Sequence, residues 1–387
     1  MKRTFAILTI LVPFCSLAQK TLPIIKAISG QAKIYEQDNP PSNWQINPKL
    51  KLDVHTTGKL TGAKLIKFKT DVDSIVFKLK PGQKKDFVVL LNGKDSCLTR
   101  IISPEVRNFS KVSPEVHDTI PFLINKYNTN LVPVFFNKTD SLMLNFDTGA
   151  TEINFTTDAL KTKISSRPKL YSTSYETRIG TRTYKSKVYD LTLAGNEADG
   201  LLGWNVFDGM VVELDYDTGK MIVHSKMPRN VLHDRNYSKF KIRYMTNKPF
   251  IKGEIAQSGT KNKSLFLFDL GYQRTVMLNN DLLQKAKFPT EKMEIISKVI
   301  MHGSRGNDVP VITSNLEKLK LGNFELNNVP AQVMGQNKPR PGYNMHILGS
   351  DVLKRFNTIL DFQKDVIYLK PNRLYDAAFA DQKKNGV

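Results

Sequence analysis

Two short loops contain the residues whose types and spacing could do chemistry. Asp147-Thr148-Gly149 follows the apolar run Ser141-Leu142-Met143-Leu144-Asn145-Phe146, and Asp269-Leu270-Gly271 follows Ser264-Leu265-Phe266-Leu267-Phe268. Each reads as a strand that ends in an acid and then turns at a glycine. An acid that hydrolyses an amide by activating water needs a second carboxyl close by. One takes the proton of water while the other donates. Two close carboxyls cannot both ionise, so their pKa values are driven apart. Glycine after each acid lets the chain turn without a side chain in the way, and a threonine hydroxyl can lock the loop by hydrogen bonding. Asp147 and Asp269 are therefore the candidate catalytic pair, with Thr148, Gly149 and Gly271 as loop supports.

The elements around these loops repeat in the same order. Leu201-Leu202-Gly203-Trp204 follows the first acid and Ile347-Leu348-Gly349-Ser350 follows the second. One unit is used twice. Copy one spans about 117–228. Ile120-Pro121-Phe122 and Leu131-Val132-Pro133-Val134-Phe135-Phe136 lead to Asp147, and residues 175–188 predict a polar hairpin with Gly180 near its tip. Copy two spans about 229–372. Its hairpin candidate is 298–312, with Gly303 and Gly306 near the tip, and Asp351-Val352-Leu353-Lys354-Arg355-Phe356 predicts a short helix. Asp217-Thr218-Gly219 repeats the first tripeptide, but it lies between two strand patterns and reads as a hairpin turn.

These residues resemble the aspartic proteases of the pepsin and retropepsin type, and the chain is similar to secreted bacterial two-lobe proteins of that kind. The resemblance covers both copies. It implies a mainly β fold with a two-lobed, barrel-like body and a dyad of Asp147 and Asp269. It further implies Thr148 as half of a hydroxyl lock between the loops, Gly203 and Gly349 packed under them, and flaps at the hairpins of Gly180 and Gly303. The implied substrate is a peptide or protein, with no metal or cofactor. Two departures stand out: Leu270 occupies the place of a second Thr or Ser, and Tyr272 that of Ala150. Two functions fit: an endopeptidase using the Asp pair and an activated water, or a catalytically weak fold that binds peptides or an envelope partner in its cleft.

The remaining sequence sets the context. Residues 1–18 carry a charged start (Lys2, Arg3), an apolar run and a small-residue site at Ser16-Leu17-Ala18, the pattern of an export signal cleaved near Ala18. Phe14 is bulky where a lipid-attachment site before Cys15 wants a small residue. Cleavage leaves Cys97 as the one cysteine, which excludes an internal disulfide and a cysteine-based metal site. The formal net charge is +21. The excess is mostly lysine spread along the chain, without the arginine forks and aromatic platforms of nucleic-acid binding. It suits a solvated face or loose attraction to anionic envelope surfaces. Because both copies lie in one chain, a monomer suffices for a complete pair.

Residues 19–115 read as a β-sandwich-like domain and linker, followed by lobe 1 over 116–228, lobe 2 over 229–374 and a C-terminal tail over 375–387, polar and frayed from Ala377 on. Within the first domain, residues 73–80 and 86–91 around Pro81-Gly82 predict a hairpin. Residues 103–114, with two prolines, predict a linker. Gly259-Thr260-Lys261-Asn262-Lys263-Ser264 lacks the ending of a phosphate-binding loop, and no nucleophile elbow occurs. Asp351 and Asp361 read as surface or capping acids.

Overall fold

The computed structural model describes residues 21–302, 308–334 and 344–381. The signal-like segment, Gly303, Gly306 and the last six residues lie outside them. The chain is mainly β.

The N-terminal domain runs through β1 (Ile24–Ala27), β2 (Gln31–Glu36), β3 (Ser42–Gln45), β4 (Asp53–Thr56), β5 (Lys64–Lys69), β6 (Ser74–Leu79), β7 (Lys84–Leu91) and β8 (Asp95–Ile102). These strands form two four-stranded sheets, ordered β1-β7-β8-β4 and β3-β2-β5-β6. Alternation sets the inner faces: Ile66 and Phe68 of β5 and Phe87 and Val89 of β7 are all fully buried. The Phe68 and Phe87 rings meet edge to face across the sandwich, 5.1 Å apart. Here the structure corrects the expected hairpin. β6 pairs with β5 and β7 pairs with β8, so Pro81-Gly82 carries the chain from one sheet to the other. Period-two patterning shows that a segment is a strand but not which neighbour it takes. Cys97 is buried in β8, where burial pushes its thiol up.

Lobe 1 contains β9 (His117–Pro121), β10 (Leu123–Ile124), β11 (Asn130–Phe136), β12 (Asp140–Asp147), β13 (Ile153–Thr156), α1 (Thr157–Thr162), β14 (Ser174–Ile179), β15 (Arg182–Leu191), β16 (Gly200–Gly203), β17 (Val211–Asp215) and β18 (Lys220–His224). After α2 (Arg229–His233), lobe 2 contains β19 (Ser238–Lys241), β20 (Arg243–Met245), β21 (Lys248–Gln257), β22 (Thr260–Phe268), β23 (Val276–Asn279), α3 (Asn280–Lys285), β24 (Ile295–His302), β25 (Asp308–Leu321), β26 (Phe324–Met334), β27 (His346–Leu348), α4 (Ser350–Leu353), β28 (Phe356–Asp361) and β29 (Val366–Pro371).

The duplication is exact at the level of strand order. One lobe sheet runs β10-β11-β12-β16-β13-β15-β14 and the other β20-β21-β22-β27-β23-β26-β25-β24. Position by position the two match, with β24 added in lobe 2. The lobes share a six-stranded sheet, β19-β29-β28-β17-β18-β9, in which β17 and β28 pair antiparallel at the centre. Its two halves are again equivalent. One buried apolar cluster runs through both lobes, from Phe146 and Leu202 to Phe268 and Leu348. The two helices after β13 and β23 are capped alike, with Thr156 accepting from the Ala159 amide and Asn279 from the Leu282 amide.

The sandwich docks where the lobes meet. Lys59 Nζ lies 2.6 Å from Asp208 and 2.8 Å from Asp365, donates to the Phe362 carbonyl, and faces the Trp204 and Tyr244 rings. The turn between β20 and β21 completes the contact: Thr246 N donates to Asn39 Oδ1 and Lys59 N to Asn247 Oδ1. At the other end, residues 377–381 of the tail expected to fray pack back on lobe 2 instead. The buried Arg355 guanidinium donates to the carbonyls of Leu374, Tyr375, Ala377 and Ala378. Asp351 accepts from the Ala380 amide and pairs with Lys354 at 2.6 Å. Asp351 is thus buried, not a surface acid. Asp361 is buried too, and caps a turn by accepting from the Gln363 and Lys364 amides.

Candidate active site

β12 and β22 each deliver one acid at their C-terminal end. β16 runs parallel to β12 with Gly203 opposite Asp147, and β27 runs parallel to β22 with Leu348 opposite Phe268. Beyond these strands the backbone binds the acid loops from below. Trp204 N donates to the Ala150 carbonyl and Gly203 N to the Glu152 carbonyl. In lobe 2, Ser350 N donates to the Tyr272 carbonyl and Gly349 N to the Thr275 carbonyl. Gly203 and Gly349 sit against backbone, Thr151 and Glu152 in one case and Arg274 and Tyr272 in the other. A side chain at either would push the loop away.

The acids are held alike. Asp147 Oδ1 accepts from the Gly149 amide at 2.6 Å and the Ala150 amide at 3.2 Å. Asp269 Oδ1 accepts from Gly271 at 3.0 Å and Tyr272 at 3.1 Å. The carboxyls face one another across the lobe seam, each lying over the glycine of the other loop. A Cβ on Gly149 would stand 2.6 Å from Asp269 Oδ2, and one on Gly271 would overlap the Asp147 carboxyl. The close approach therefore requires glycine at both positions.

Asp147 is buried. Burial first, and then the charge and hydrogen bond of Asp269, hold its carboxyl well above the usual range. The Lys248 ammonium and the Gly149 amide pull the other way. Both upward effects penalise the anion, so Asp147 is the member that keeps a proton. Such a pair can hold one proton between two acids and orient a water.

Thr148 ties the loops together. Its hydroxyl donates to the Phe268 carbonyl at 2.5 Å and accepts from the Leu270 amide at 3.0 Å. The mirror position carries Leu270, whose side chain is fully buried in the shared core. The reciprocal half of the lock is absent and replaced by apolar packing. Tyr272 does not stand free in the site. Its ring lies on Gly349 and its hydroxyl pairs with Gln332 Oε1 in β26.

The flap assignment of Gly180 fails. Gly180 does turn the β14–β15 hairpin, with φ of 60°, a value that favours glycine. Yet the tip lies against Asp118 and Ile120 of β9. Val134 pairs with both Ile179 and Leu142, and Leu142 precedes Asp147 by five residues, so the tip sits beside a point about 16 Å back along the strand from the acid. Its counterpart is Gly322, which turns β25–β26 against Ser238 and Phe240 of β19. β24 and β25 pair as a hairpin that lobe 1 lacks, and Gly303 lies outside the described residues. Spacing along the chain could not separate the two hairpins. Sequence reading also missed Lys248 and Asn130, which lie in no motif and reach the loops only through the fold. Among the described residues, no group of three or more His, Cys, Asp or Glu is placed to hold a metal.

Two equivalent β lobes that each lend one acid to a shared pair define an aspartic-protease-like protein. Residues 252–352 match the aspartyl protease family profile, a stretch that contains Asp269 and Gly349. Among solved structures, an aspartic proteinase from Irpex lacteus is similar at 13% identity and a TM-score of 0.43, over 68% of this chain and 99% of that one. No curated protein matches the chain.

Proposed function

We propose that the protein is an exported endopeptidase that hydrolyses peptide bonds with Asp147, Asp269 and a water between them. The observation that carries this reading is the close placement of the two carboxyls, each over the other loop's glycine, with Asp147 biased to the protonated form. Asp269 takes a proton from the water as its oxygen attacks the scissile carbonyl carbon. The Asp147 proton passes to the carbonyl oxygen, giving a neutral tetrahedral diol. Transfer of a proton to the amide nitrogen then lets the C–N bond break, releasing an acid and an amine and returning one proton to the pair. No cofactor enters this sequence. Export is supported by the pattern of residues 1–18, and a monomer by the presence of both loops in one chain. The lysine excess supports loose association with anionic envelope surfaces.

Leu270 favours a second reading, a peptide- or envelope-binding module without turnover. Incubation of the mature protein with a diverse peptide library, read by mass spectrometry, separates the two. Products that vanish with Asp147→Asn and with Asp269→Asn support the peptidase. Saturable peptide binding by a folded wild type that releases no products would replace it with the binding module.

A further inference from the structure

Two lobe 1 side chains cross the seam to hold the backbone of the Asp269 loop, while lobe 2 side chains reach back beside it, Gln273 to Thr129 and Lys354 to Asn128. Thr148 supplies one set of the lobe 1 ties. Asn130, fully buried at the start of β11, supplies the other. Its Nδ2 donates to the Leu270 carbonyl at 2.8 Å and to Ser350 Oγ at 2.9 Å. Its Oδ1 accepts from the Tyr216 hydroxyl at 3.2 Å. Burial pushes the Tyr216 phenol far up, so that hydroxyl stays a donor and fixes which way the amide points. Both donors and the acceptor of the Asn130 side chain are therefore used, and its own amide is held by Asn145 Oδ1.

The lobe symmetry makes this one-sided. Leu131 pairs with Asn145 in lobe 1 as Phe250 pairs with Leu267 in lobe 2. The residue equivalent to Asn130 is then Pro249, which has no amide side chain. Leu270 lacks the hydroxyl that would have tied its loop to the other. Instead its own backbone is gripped at both ends, its amide by Thr148 and its carbonyl by Asn130.

We infer that Asn130 is a positioning residue for Asp269. By clamping the Leu270 carbonyl it fixes the loop that the missing hydroxyl at 270 leaves loose, and so sets the separation of the two carboxyls. Its effect on rate rests on the peptidase reading; its effect on the carboxyl pair does not.

The test uses the mature full-length chain with Asn130→Ala, Tyr216→Phe and the double variant Asn130→Ala with Leu270→Thr. A loosened pair lowers kcat by about 10- to 100-fold in Asn130→Ala while KM stays within about 2-fold, the pattern of lost alignment. Tyr216→Phe, which removes only an oxygen, costs about 3-fold, and Leu270→Thr recovers at least about 5-fold by restoring a hydroxyl between the loops. In parallel, the carboxyl carbons of Asp147 and Asp269 are titrated by ¹³C NMR. The two apparent pKa values of the pair draw together in Asn130→Ala and, by less, in Tyr216→Phe. An unchanged separation overturns the inference whether or not the wild type cleaves. If Asn130→Ala fails to fold, the Tyr216→Phe titration decides alone. Absence of turnover in the wild type overturns the peptidase reading only.

Discussion

Lys59→Met tests whether the N-terminal sandwich is fastened to the lobes by one buried cation. Lys59 reaches into a seam that holds Asp208 and Asp365, and the side chains of all three are at most 18% exposed. The contact to Asp365 Oδ1 is an ion pair without directed hydrogen-bond geometry, so charge carries it. Methionine keeps the apolar stem against Trp204 and Tyr244 but leaves two carboxylates without their counter-charge. Breaking a buried pair in this way costs about 3–5 kcal/mol. The slight exposure of the seam puts the expected loss near the lower end, about 3 kcal/mol or roughly 150-fold in the docking equilibrium. Asp361, 1% exposed in the same seam, has its carboxyl raised by burial and by the Asp365 charge, so lower pH protonates it, thins the negative charge left without Lys59 and shrinks the loss. The chain has two tryptophans, Trp44 in the sandwich and Trp204 beside Lys59. A Trp44→Phe background therefore makes Trp204 fluorescence a reporter of the seam during urea unfolding. Lys59→Met should open the seam well before the lobes unfold at neutral pH, and by less near about pH 4, where carboxylates begin to protonate. A loss below about 0.5 kcal/mol at neutral pH, the size of a surface change, would refute the fastening.

Further outcomes follow from the same geometry. Thr148→Val strips the partner from the Phe268 carbonyl and the Leu270 amide, and should cost about 2–4 kcal/mol in urea unfolding. The raised pKa of Asp147 means the unfolded chain loses that proton first. Asp147 thus favours the fold below the unfolded carboxyl pKa, and stability falls as pH rises through the folded value; Asp147→Asn should raise Tm at neutral pH and flatten that limb. His346 has the opposite sign. Burial lowers its pKa to about 4, so roughly 2–3 kcal/mol is lost as pH falls from about 6.5 to 4, and His346→Gln should remove that limb from a thermal scan. Gly271→Ala drives a Cβ into the Asp147 carboxyl and should cut peptide cleavage at least about 100-fold, with the far-ultraviolet circular dichroism retained.

What was legible in the sequence is what local pattern encodes. The acid, its glycine turn and the apolar-apolar-glycine signal each lie within four residues. Their repetition in order exposes the duplicated lobes, because strands that come in the same sequence order take the same places in the two sheets. What was hidden depends on pairing across long separations. The Pro81-Gly82 turn has hairpin chemistry but joins opposite sheets, since patterning on two inner faces is the same. Gly180 and Gly303 look alike in sequence, yet the extra strand β24 in lobe 2 makes Gly322, at the β25–β26 turn, the counterpart of Gly180. Asp351 looked like a surface acid because its cover, the strap of residues 374–381 around Arg355, comes from a stretch with no strand or helix signal. Asn130 and Lys248 sit at strand starts with no motif, and only the seam between lobes gives them neighbours.

The most direct measurement is kcat/KM for a cleavable peptide from about pH 3 to 8, for the wild type, Asp147→Asn and Asp269→Asn. Two acids sharing one proton predict a bell-shaped profile in the wild type and at least about a 1000-fold loss in each variant across the whole range. Cleavage that survives in either variant, with an unchanged profile, would contradict a catalytic pair.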